Sequence, residues 1–200
     1  YLDGKLTPEN LHKVKAMGAA TASSGAVGLY HVENITPEAK DKGRDLLAEG
    51  YQTYVIDDME LKRVRDAFPN LWPKKVKKPT AVHIGCPHNT YHELEIWGGA
   101  IHKALKDAGK DKVALQTVMF CSTVVRDHFF MENPELVRDL YAADVRFSNT
   151  CTVCFAGMKG YTDGNFAVTN SNKTRKYTNS RYIPEMDRML HIIVTGEMPA

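Results

Sequence analysis

The pattern of apolar and polar positions changes character near Trp72. Beyond it, short runs of β-branched and other apolar residues alternate with segments whose apolar positions recur at helical spacing. TAVHIG (80 to 85), KVALQTVM (112 to 119), VRFS (145 to 148) and FAVTNS (166 to 171) read as strands. HELEIWGGAIHKALKDAG (92 to 109), NPELVRDLYAAD (133 to 144) and IPEMDRMLHIIVTG (183 to 196) read as helices. Alternation of this kind predicts an α/β fold, a layered domain with a largely parallel sheet flanked by helices. Cys86, Cys151 and Asn170-Ser171 each fall just after a predicted strand. In a parallel sheet those positions share one edge, where α/β proteins bind ligands.

The first part is more helical. Thr7-Pro8-Glu9 predicts a helix start, with Thr as N-cap and Pro in the first helical position; the helix runs through NLHKVKAMGAATAS and stops near Gly25. Thr36-Pro37-Glu38 repeats the signal, and AKDKGRDLLAEG extends that helix to Gly50. YQTYVI (51 to 56) predicts a strand. DMELKRVRDAF predicts a helix capped by Asp57 or Asp58. The expected organisation is a helical/αβ segment, 1–76, and an α/β domain, 77–200, with the basic WPKKVKKP (72 to 79) as a solvated linker.

Composition narrows the classes. A hydrophobic share of 43% with 25% charged residues is that of a globular chain. A formal net charge of +2 gives no footprint for nucleic acid. No apolar run approaches the roughly 18 residues of a membrane helix, and the opening YLDGKLTPEN has no leader pattern. With four cysteines and no leader, reduced thiols in the cytoplasm are expected; the absence of an initial Met suggests a processed or partial product.

Three motifs carry chemistry. In Gly85-Cys86-Pro87-His88 the glycine permits a sharp turn and the proline ends the strand, which holds the Cys86 thiol on a rigid corner. It is a ligand or a packed thiol. Cys151 and Cys154 form a C-x-x-C, which binds zinc or an iron of a cluster, or cycles as a redox pair. A zinc ribbon needs a second such pair, and none exists. Cys121, among apolar neighbours, reads as packing. In VTNSNKTRKY (168 to 177), Asn170, Ser171 and Lys173 surround a strand-to-helix turn suited to a carboxylate or phosphate, or simply form a capped helix with an exposed lysine.

Four segments in order resemble the catalytic (large) part of the aconitase X family: AMGAATASSGAVGLYHVENITPEA (16 to 39), GCPHNTYHEL (85 to 94), NTC (149 to 151) and VTNSNKTRKY (168 to 177). The resemblance implies an aconitase-like fold and a hydro-lyase with an iron–sulfur cluster, acting on a small hydroxy acid such as cis-3-hydroxyproline or phosphomevalonate. Carried over by position, Cys86 and Cys151 are cluster ligands, with Cys154 as a further candidate. Thr36, Glu38, Asn170, Ser171 and Lys173 lie on the substrate side, Ser171 and Lys173 with catalytic roles; His88 orients a ligand or donates a proton. Family members carry a further N-terminal half with another cluster cysteine, and a small swivelling subunit completes aconitase sites, so both are expected partners. Asn149 stands where the family has Asp, and Cys154 departs from its pattern. The competing expectations are a non-catalytic scaffold of the same fold, and a zinc or thiol-redox protein using Cys151 and Cys154 alone.

Overall fold

The computed structural model describes residues 12–157 and 164–199; the expected helix start at Thr7 lies outside them. The chain divides into two compact units, Tyr1–Pro69 and Asn70–Ala200.

In the first unit α1 (His12–Gly25) ends at the glycine the sequence marked. Helix α2 (Pro37–Lys42) is much shorter than expected. Gly43, at φ 55°, breaks it, and a 3-10 turn follows over Gly43–Leu46. Thr36 takes the extended N-cap conformation without a side-chain capping bond. Its Oγ1 instead accepts from Val32 N at 3.1 Å, closing the preceding turn. Residues 51–56 form no strand. They are exposed, and among the described residues of this unit no strand offers the ladder that an extended segment needs. Helix α3 (Asp58–Asp66) begins where expected, because Asp57 accepts from Glu60 N.

The second unit is built on five parallel strands: β1 (Ala81–Asn89), β2 (Gln116–Cys121), β3 (Val145–Ser148), β4 (Ala167–Thr169) and β5 (Arg181–Tyr182). Their order is β3-β2-β1-β4-β5, and every pairing is parallel. The largely parallel α/β sheet read from the sequence is therefore present. Residues 112–115, expected as the start of a strand, bond elsewhere: Val113 N donates to Ala143 O and Ala114 N to Ile193 O. Only from Gln116 does the segment pair with β1.

Side chains alternate across a strand, and here both faces are buried, as parallel sheets require. Val82 and Ile84 of β1, with Met119 and Cys121 of β2, join a core shared with α4 (Tyr91–Asp107), α5 (Thr123–Glu132), α6 (Pro134–Ala142) and α9 (Met186–Thr195). Leu94, Ile101, Phe129, Leu140, Ile192 and Ile193 supply its helical side. Alternate positions face α7 (Thr152–Gly157): His83 lies edge-on to Phe120 and to Phe155 of α7, with ring centroids 5.6 Å apart in each pair. Helix α8 (Asn172–Tyr177) packs against α7 and β1. Residues 123–132 and 152–157 are helical, although their sequences carry no helix signal and FAG (155 to 157) has the composition of a loop. Among the described residues no helix is long and apolar enough to cross a membrane.

Candidate functional site

The strand does not end at Pro87, as its missing N–H suggested. It continues to Asn89 through an irregular stretch in which Ile84 pairs with Met119 and Asn89 with Cys121. Asn89 supplies the missing ladder bonds. Its buried Nδ2 donates to Ile84 O and to Phe120 O, each at 3.0 Å, so one side chain satisfies carbonyls on two strands. Gly85 makes room for it. With φ at +109°, a Cβ there would stand 2.3 Å from Asn89 Nδ2 and 2.5 Å from Phe120 O. The peptide Cys86–Pro87 is cis. Between the pairings of Ile84 and Asn89 the Gly-Cys-Pro-His segment turns away from β2 as a corner held by the Asn89 bonds, with Cys86 and His88 half-buried on it.

Three strand ends meet at this corner, and Gly85 joins them. Its N–H donates to Asn170 Oδ1 at 3.1 Å, and its carbonyl accepts from Thr152 Oγ1 at 2.9 Å. Further along, His88 Nε2 donates to Thr150 O at 3.1 Å. Cys86 and Cys151 are therefore flanked by residues that bond to one another. Asn170, placed on the substrate side by sequence, commits its carbonyl oxygen to Gly85. Asn89 and Thr152 are structural members of the site that the sequence reading missed. Thr152 stands between the two cysteines and Asn89 after His88, and the bonds of both go to partners that no local pattern marks.

Cys151 sits just before α7, and its carbonyl accepts from Phe155 N at 2.8 Å. Its thiol is held below the ordinary range, first by the backbone N–H of Cys154; Val153 N–H, the Cys154 thiol and the charge of Lys173 act the same way. The Cys154 thiol is pushed up, first by its hydrogen bond to Cys151 and then by that neighbour's charge. Cys121 belongs to the apolar core, where burial pushes its thiol up to about 11. Ser171 is buried and caps α8, its Oγ accepting from Thr174 N at 3.1 Å. Lys173 follows in the first turn, half-buried, close enough to act on Cys151.

Thr36 and Glu38 belong to the first unit. Glu38 Oε2 lies 3.8 Å from His31 Nδ1. An open cavity of about 510 Å³ beside this turn is lined by His31, Glu33, Ala39, Arg44, Tyr51 and Tyr54, and Thr36 and Glu38 are not part of its wall. Among the described residues, no three His, Cys, Asp or Glu side chains are gathered as a ready metal site. The donors suited to iron at the strand-end corner are the half-buried Cys86 and Cys151, whose pKa is lowered.

The aconitase X second-domain family profile matches residues 1–66. The phosphomevalonate dehydratase large subunit of Methanosarcina mazei is 30% identical over 166 residues, covering 82% of this chain and 36% of that protein. The Thermococcus kodakarensis protein of the same description is 34% identical over 90 residues, covering 45% of this chain and 21% of its own length. The chain therefore matches about a third or less of each relative. A crystal structure of Thermococcus kodakaraensis aconitase X, holo-form, superposes with a TM-score of 0.68 at 23% identity, over 92% of this chain and 45% of that one; that likeness concerns the fold.

Proposed function

Taking as premise that this chain belongs to the aconitase X family, we propose that it forms part of the large subunit of an iron–sulfur-dependent hydro-lyase. The substrate class favoured is a phosphorylated hydroxy acid, phosphomevalonate being the one in the relatives' descriptions. The observation that carries the proposal is the junction at Gly85, where Gly-Cys-Pro-His is tied to Asn170 of Thr-Asn-Ser, to Thr152 just after Asn-Thr-Cys and, through His88, to Thr150 within it.

Cys86 and Cys151 are assigned as cluster ligands, completed from outside this chain. A half-buried thiol on a fixed corner and a second thiol whose pKa backbone N–H groups lower suit iron, which binds the deprotonated sulfur. When bound, a cluster with an open iron position supplies a Lewis acid for the departing hydroxyl. The chain's own groups do the rest. Lys173 offers a fixed positive charge to the substrate carboxylate as negative charge develops there. Ser171 and Asn170 hold the turn that presents it. His88 presents its imidazole beside Cys86, with Nε2–H fixed on Thr150 O, and so orients the thiol's loop or passes a proton. A small subunit is the expected partner, since the relatives are described as large subunits. Four free thiols fit a reducing cytoplasm.

Cys86→Ala and Cys151→Ala, each prepared anaerobically in the assembled protein, are expected to lose bound iron and sulfide while keeping the far-ultraviolet circular dichroism of the parent. Cys121→Ala should keep its metal. Retention of iron and sulfide by both of the first two variants would remove the cluster assignment.

A further inference from the structure

The function proposed above employs one cysteine of the C-x-x-C and leaves the other without a role. Cys154 is exposed on the first turn of α7, and Cys151 is exposed immediately before that turn. The C-x-x-C spacing places both thiols in the turn that opens α7, where Phe155 N donates to the Cys151 carbonyl at 2.8 Å. We infer that Cys151 and Cys154 form an intramolecular disulfide that withdraws Cys151 from the metal centre, so that cluster loading is set by thiol redox state. The consequence for loading rests on the cluster reading; the disulfide itself rests on the geometry.

Helical residues three apart have Cβ atoms about 5–6 Å apart, whereas a disulfide needs about 3.5–4.5 Å. An approach of one to two ångströms is required. Cys151 can supply it because it lies outside α7, where its dihedral angles are free of the helical ladder apart from the carbonyl bond to Phe155. The other two thiols are poorly placed to compete. Cys121 is fully buried, and Cys86 is half-buried on the corner fixed by Asn89 and Asn170.

The oxidant required is a low-molecular-weight disulfide such as oxidised glutathione. The Cys151 thiolate attacks one of its sulfurs, forming a mixed disulfide and expelling a glutathione thiolate, which takes up a proton. Cys154 then loses its proton and attacks the Cys151 sulfur, expelling the second glutathione. Two electrons pass from the protein dithiol to the oxidant, and two reduced glutathione molecules leave. A sulfur so bonded has no lone thiolate for iron.

The reduced full chain is exposed anaerobically to oxidised glutathione, alkylated with iodoacetamide and cut with trypsin. Arg146 and Lys159 bound a peptide that contains both cysteines. It is expected to appear two hydrogens lighter and unalkylated, while Cys86 and Cys121 remain alkylatable. Cys154→Ser should instead accumulate glutathione on Cys151, since the second step is blocked. Two alkylated thiols in the wild-type peptide, or a bridge from Cys151 to Cys86, overturn the inference.

Iron and sulfide are then measured in the assembled protein before and after oxidation. The expected result is loading in the reduced state, at least tenfold less after oxidation, and recovery with dithiothreitol. Equal loading in both states overturns the redox control. No loading even when reduced, with the peptide still closing, removes the cluster reading and leaves the disulfide standing.

Discussion

Gly85 is the residue on which the corner depends. Its positive φ and the 2.5 Å that a Cβ would leave to Phe120 O mean that backbone, rather than a flexible side-chain tip, must yield to any substitution. Gly85→Ala is therefore expected to destabilise the chain by about 2–4 kcal/mol, read as a lower urea midpoint, and to reduce iron uptake because Cys86 moves with the corner. A second residue, His83, sets the acid limit of stability. Burial alone lowers its pKa from 6.5 to about 4, so the unfolded chain takes up the proton first. Stability is full above about pH 6.5 and falls as pH drops toward 4, by about 3 kcal/mol. His83→Phe keeps a ring between Phe120 and Phe155 and should flatten that fall; an unchanged acid slope in urea titrations would assign it to other groups. Both residues were visible in the sequence, but only Gly85 carried a signal there. His83 reads as one letter in an apolar strand, and nothing local says that two aromatic rings will meet against it.

At the scale of elements, a short-range bond made some helix starts legible, as Asp57 does for α3, whereas Ser122 caps α5 in the same way and that helix was not anticipated. Thr90 and Glu93 form a reciprocal cap on α4, Thr90 Oγ1 accepting from Glu93 N at 3.2 Å and Glu93 Oε2 from Thr90 N at 2.8 Å. Thr90→Ala should cost about 1 kcal/mol, seen as a lower melting temperature with little change in α4 helicity, since the helix is held by Leu94, Trp97 and Ile101 in the core. What needs a partner distant in sequence was not legible. YQTYVI has the composition of a strand, yet a strand exists only where a neighbour offers its N–H and C=O groups. Thr36-Pro37-Glu38 signals a start correctly, but Gly43 stops the helix a turn later than it begins, which the run of charged residues concealed. α7 escaped because it is six residues long and the cysteine before it carries no helix-start signal.

For the whole molecule, the convergence at one sheet edge followed from strand alternation alone, because a parallel sheet aligns all its C-terminal ends. The bonds that draw the ends together, through Asn89, Thr152 and Asn170, follow from packing, which no local pattern encodes. The chain covers 36% of the M. mazei relative, so purified by itself it is expected to dehydrate no phosphomevalonate. Mixing with the remaining large-subunit sequence and a small subunit should restore turnover in a product assay; unaided turnover would show that a complete site lies within these residues. The central position of β1 has a consequence for biosynthesis. Gly85 waits for Asn170, 85 residues downstream. At about 5–20 residues per second, the ribosome delivers that partner roughly 4–17 s after Cys86. Through that interval the nascent thiol has no corner to sit on, so the iron insertion proposed for it is a task for the finished chain.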